Sequence, residues 1–276
     1  MTVTVAQLEE INSRQRRMWA SGDYAAVAAR IHPMAERLCE AADLVAGARV
    51  LDVATGSGNA AIAAARCECD VVGIDYVPAL LERARARARA EGLAIELLEA
   101  DAEALPFPDA SFDVVVSVVG VMFVADQAQA AAELTRVCRP GGTIALASWT
   151  PEGFIGDMLR TVARYVPPPR GVRPPVEWGS ARRLRQLLGD RVGRVRMHER
   201  VHTFRHRSAE HFADFFVTNY GPTERAAAAL DDDRRAAMRR DLAALAAAAS
   251  RLPAGGAVAI DATYLEAIAT REGRSS

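Results

Sequence analysis

Three carboxylates close three apolar runs: Asp52 in VLDVATGSGNAAIAAA, Asp75 in VVGIDY and Asp101 in LLEADAEALPFPD. Such runs read as strands, and open α/β sheets bind ligands beyond the carboxyl ends of their strands. After Asp52 the chain passes Ala54, Gly56 and Gly58 into an alanine-rich helix starting near Asn59. The two glycines let backbone approach a ligand with no Cβ in the way, and the helix start offers free N–H groups. A turn that cradles phosphate has little use for the negative charge of Asp52. Asp75 can accept hydrogen bonds from both hydroxyls of a ribose, while Asp101 and the next backbone N–H, that of Ala102, can read an adenine edge.

A ligand carrying adenine, ribose and positive charge but no phosphate suits this set. S-adenosylmethionine is such a ligand, because its sulfonium, ammonium, ribose diol and exocyclic amine all sit better near carboxylates than near arginines. Methyl transfer from it is an in-line displacement, accelerated by holding the nucleophile against the methyl in a dry site. An acidic acceptor needs no protein base, whereas an alcohol or C–H acceptor needs one. After the fourth apolar run the chain reads SVVGVMFVAD, where Met122 and Phe123 form an apolar acceptor wall rather than an acid–base group. Trp19, Trp149 and Phe154 are further candidates for that wall, and His32 is the candidate base, set beside Pro33 in N-terminal helices that cover the acceptor. His198, His202 and His206 alternate along one strand, about 13 Å apart at four-residue spacing, too far for one ion and read as a solvent face. Cys67 and Cys69 have no second Cys or His pair near them in sequence, so no metal is expected.

The elements that must position these residues follow from the hydropathy pattern. ARVLDV, DVVGID, IELLEA, FDVVVSVV and TIALASW alternate with amphipathic segments, which predicts right-handed βαβ crossovers and a parallel sheet covered on both faces. PALLERARARARAEG has an Arg/Ala period of two, yet its residues favour helix, with Pro78 at the start and Gly92 at the stop. Its arginines read as a solvated face, so Arg87→Ala is expected to be nearly silent. Residues 1–46 read as an N-terminal helical cap, with a helix beginning at Pro33, and 47–150 as the ligand-binding core. Residues 151–190, with PPPRGVRPP, read as a proline-rich cover, mobile together with 1–46. Residues 191–276 add strands at 194–206 and in ATYLEAIATR, with helices between them, to complete the core. In the first strand Val195, Met197, Val201 and Thr203 are expected to face inward.

Bulk properties exclude several classes. A formal charge of −1 argues against a nucleic-acid binder, and no apolar run is long enough to span a bilayer, so the chain reads as cytoplasmic, a monomer or a homodimer. Every basic side chain other than histidine is arginine, which removes Schiff-base lysine chemistry and Walker-type ATPases.

LDVATGSGN, VVGIDY, EADAEALPFPDASFDVVVS and LTRVCRPGG, in this order, resemble the class I S-adenosylmethionine-dependent methyltransferases of the type 11 group, which includes quinone-biosynthesis C-methyltransferases. The tail from WTPEGFIG to YGPTERA is similar to that of an actinobacterial-like subgroup. The resemblance implies a Rossmann-like doubly wound sheet of seven strands, mostly parallel with a last antiparallel strand. It also implies cofactor contacts from the loop Asp52 to Gly58, from Asp75 with Tyr76, from Asp101 with Ala102, and near Val118. The function it implies is methylation of a small, largely apolar acceptor. A cyclase that holds the cofactor without transferring methyl, a non-catalytic partner subunit and a nicotinamide-dependent oxidoreductase stand as alternatives.

Overall fold

The computed structural model describes residues 5–169 and 172–273, so the first four residues of the 1–46 segment and the centre of PPPRGVRPP lie outside the described residues. The chain builds one seven-stranded sheet in the order β3-β2-β1-β4-β5-β7-β6. Its strands are β1 Arg49–Val53, β2 Asp70–Asp75, β3 Ile95–Glu99, β4 Phe112–Val118, β5 Cys138–Trp149, β6 Val192–His206 and β7 Val258–Arg271. The first five run parallel, and β7 lies antiparallel between β5 and β6. Central strands carry the unbroken apolar runs that burial on two faces requires, as in β1, where only Arg49 is exposed.

Helices α1 Val5–Trp19 and α2 Tyr24–Ala41 precede the sheet. The crossovers are α3 Asn59–Arg66, α4 Pro78–Ala90 and α5 Gln127–Val137. Beyond β5 come α6 Phe154–Tyr165 and α7 Ala181–Leu188, and between β6 and β7 lie α8 Ala209–Asn219, α9 Gly221–Ala228 and α10 Asp232–Ala249. Strand order reverses between β1 and β4, which are paired with Asp52 opposite Val116, so the turns that follow these two strands meet. This is the crevice at which open α/β sheets hold ligands.

Two local expectations are corrected. Pro33 lies inside α2 rather than starting a helix, because the stripe Val27, Ile31, Met34, Ala35 and Leu38 runs buried through it and outweighs one missing N–H. In β6 the inward face changes along the strand. Val195 and Met197 are half-buried, but Val201 is 59% exposed while Phe204 and His206 are buried. Helix α8 covers only that end of the edge strand, and its Phe212, Phe215 and Phe216 take His206 into an aromatic cluster. His202 is half-buried on Trp149 and Phe204, so two of the three histidines face inward rather than solvent.

Candidate functional site

The turn after β1 is held from below. Asp52 is 1% exposed, and its Oδ2 accepts from Thr55 Oγ1 at 2.6 Å and from the Ala61 N–H at 2.8 Å. It therefore caps the start of α3 and folds the turn, and it stands beneath the cleft rather than in its lining. Burial pushes its carboxyl up to about 7 against those two hydrogen bonds, with nearby Asp75 adding to the rise. Gly56 and Gly58 take positive φ of 56° and 88°, a region that favours glycine. Gly58 is the residue before α3 and packs against Ala84 of α4, so it shapes the turn without lining the cleft.

Asp75, at the end of β2, joins this turn to the next. Its Oδ2 accepts from the Gly56 N–H and its Oδ1 from the Val77 N–H, both at 2.9 Å. Burial raises its carboxyl to about 6 although backbone N–H groups lower it. A carboxylate has about four acceptor positions, so both oxygens keep capacity for a ligand diol.

The turn after β4 meets the turn after β1. A Cβ on Gly120 would lie 2.6 Å from the Ala54 carbonyl oxygen, so only glycine permits this approach. Ala54 and Val119 both adopt positive φ, 54° and 52°, which for a β-branched residue is a strained conformation. Ser117 clips the strands together: its Oγ donates to the Val53 carbonyl at 2.7 Å and accepts from the Val121 N–H at 2.9 Å.

Between these turns lies a partly open cleft. Ala54, Gly56, Asp75, Tyr76 and Ala102 line one part of it, and Val119, Gly120, Phe123 and Val124 another. Trp19 and Tyr24, at the junction of α1 and α2, close it from above. Trp19 packs edge-on against Tyr24, Phe123 and Tyr220, with ring centroids 5.2, 4.8 and 5.6 Å away. Burial, with Asp75 adding, holds the Tyr24 and Tyr76 phenols above their ordinary range, so both stay neutral donors. Asp101 does not line the cleft, although its neighbour Ala102 does; it is half-buried, its Oδ1 accepts from the Glu103 N–H at 2.9 Å, and its Oδ2 lies 3.6 Å from Arg16 of α1. Arg16 also lies over the Tyr76 ring, and Asn12 donates to Glu103 at 3.1 Å, which seats α1 on the segment after β3.

Several sequence candidates lie elsewhere. Met122 is fully buried behind Phe123. Trp149 packs with Phe204 and Tyr264, and Phe154 with Phe212, both inside the core. Val118 ends β4 opposite Ala147, and the cleft takes Val119 and Gly120 instead. His32 lies on the seam between α2 and α3, with Nε2 3.1 Å from Glu36 and 3.2 Å from Arg66, and does not line the cleft. No described residue of 151–190 lines it either, and Trp178 in that segment is fully buried. Conversely, Tyr24, Leu80, Val119, Gly120 and Val124 were not singled out in the sequence. Gly120, two residues after β4, carries the one available signal.

Residues 51–146 match the family model described as a methyltransferase domain. An uncharacterized protein of Mycobacterium tuberculosis is 43% identical over 233 residues, 83% of this chain and 85% of that one. The chain belongs to the class I S-adenosylmethionine-dependent methyltransferases, in the type 11 group. A demethylmenaquinone methyltransferase of Deinococcus radiodurans is 41% identical over 124 residues, 44% of this chain and 52% of the relative. The solved structure of the YcgJ protein from Bacillus subtilis shares the fold, with a TM-score of 0.61 at 18% identity, covering 88% of this chain and 99% of that one. Membership of these methyltransferases implies S-adenosylmethionine as cofactor. The cleft suits it, because its lining offers a carboxylate and neutral phenols and, among the described residues, no basic side chain. No helix among the described residues is long and apolar enough to cross a membrane.

Proposed function

We propose that the protein transfers a methyl group from S-adenosylmethionine to a small, largely apolar acceptor bound under Trp19. The observation that carries this reading is one cleft running from Asp75, Tyr76 and Ala102 to an aromatic patch of Trp19, Tyr24 and Phe123. In this reading Asp75 takes the ribose diol, Asp101 and Ala102 take the adenine edge, and the turn from Ala54 to Gly58 takes the amino-acid end. When bound, the cofactor supplies a methyl on a sulfonium, ready for displacement by a nucleophile. Among the described residues, Asp75 is the only carboxylate lining the cleft, and both its oxygens already hold backbone N–H groups. In this reading the carboxylate is committed to the ribose diol rather than to the acceptor, so the acceptor brings its own nucleophile, as an acidic hydroxyl, a thiol or an amine does. Tyr24 supplies a neutral O–H donor to orient it, and Trp19 keeps water out.

Incubation with methyl-labelled cofactor and organic extracts of bacteria that carry this protein, read by mass spectrometry, tests the proposal. A small, apolar product bearing one labelled methyl is expected. Product that is rearranged but unlabelled would point to a cyclase and refute methyl transfer. In the same assay Trp19→Ala should slow labelling at saturating cofactor by about tenfold or more, because it opens the reacting site to water. Unchanged labelling would mean that Trp19 is packing alone.

A further inference from the structure

Arg87 lies on α4, outside the cleft lining, yet its guanidinium is turned onto the back of the turn after β1. One nitrogen, Nη1, donates to the Ser57 carbonyl at 2.6 Å and to Asn59 Oδ1 at 2.8 Å, with Ser57 Oγ at 3.3 Å. Both partners are buried, and they flank Gly58. Asn59 passes the restraint on, since its Nδ2 donates to the Ala28 carbonyl of α2 at 2.8 Å. The turn is thus held between α4 and α2 by two side chains. Burial draws Arg87 below the ordinary arginine range against the nearby Glu91 carboxylate, which pairs with Arg66 instead, and no ion pair of Arg87 is found among the described residues. A half-buried cation spent on neutral oxygens is poor value for stability alone, because its desolvation is not offset by an ion pair.

We infer that Arg87 is a positioning residue of the cofactor site, fixing the turn from Ala54 to Asn59 in the shape that receives the amino-acid end of the cofactor. The order of the strand ends supports the assignment of that end. Asp101 follows β3, Asp75 ends β2, and the turn follows β1, so a ligand with adenine at the first and ribose at the second extends its remaining arm over the third. The inference rests on the proposed S-adenosylmethionine reading.

The test compares S-adenosylhomocysteine with 5′-methylthioadenosine, which lacks the amino-acid arm, by calorimetry on wild type, Arg87→Met and Arg87→Lys. Arg87→Met should weaken S-adenosylhomocysteine about tenfold and 5′-methylthioadenosine less than about threefold, with Arg87→Lys regaining part of the loss. In the ligand-free protein, hydrogen exchange at the amides of residues 56–61 should quicken in Arg87→Met and stay slow in Arg87→Lys. Equal losses for both ligands, or wild-type affinity for both, would overturn the positioning role. Should Arg87→Met not fold, Arg87→Lys carries the same comparison with a smaller split between ligands. If wild type binds neither ligand, the cofactor reading fails and this inference falls with it; if wild type binds both and only the split is missing, the cofactor reading stands and Arg87 alone is misassigned.

Discussion

Replacing Asp75 with alanine will lower the affinity for S-adenosylhomocysteine by about a hundredfold, the size expected from losing two charge-assisted hydrogen bonds of roughly 1.5 kcal/mol each. The loss has two sources. One is the ribose contact proposed for the carboxylate. The other is internal, because Asp75 ties the Gly56 N–H of one turn to the Val77 N–H at the start of α4, and its removal frees both. Asp75→Asn keeps one acceptor oxygen and should lose about tenfold. Titration calorimetry reads both values, and a loss under about threefold for Asp75→Ala would remove Asp75 from the ribose assignment.

The second large effect concerns Asp52 and pH. Its carboxyl titrates near 7 in the folded chain, raised by burial, against about 3.9 unfolded. The folded state therefore holds the proton more firmly, and the stability cost of this group is absent below the unfolded value and complete above the folded one. Asp52→Asn retains an acceptor for Thr55 and Ala61 without the buried charge. The variant should be more stable than wild type at pH 8, with the difference shrinking by about 2 kcal/mol, or roughly 5 °C in melting temperature, on going to pH 5.5. His206, pushed down to about 4 by burial, destabilises both proteins alike as pH falls and cancels in the difference, whereas Asp75, raised to about 6 and adding to the rise of Asp52, is part of the difference. A constant difference between the two melting curves across this range would show that Asp52 is not the group held protonated by burial.

Much of the framework was legible because it depends on local pattern. Five apolar runs separated by helix-forming segments leave few topologies, and the carboxylates at strand ends point to the crevice. What a carboxylate faces is not local. Asp52 and Asp75 occupy equivalent sequence contexts, but one turns under the helix start and the other lines the cleft. The same limit explains Arg87, whose Arg/Ala surroundings read as a solvated face until α4 is laid beside Ser57 and Asn59. Tyr24 could not be found at all from spacing, since it reaches the cleft only because α1 and α2 fold back over the sheet. Trp149 and Phe154 are large aromatics drawn into the core by their own area, as packing alone demands.

The central claim is that the cleft at Asp75 is built for a cationic adenosine ligand rather than for a dinucleotide. Calorimetry of the wild-type protein with S-adenosylmethionine, S-adenosylhomocysteine and NAD tests it most directly. Micromolar binding of the first two and no measurable heat with NAD is the predicted result. Tighter binding of NAD than of S-adenosylmethionine would contradict the account at its root.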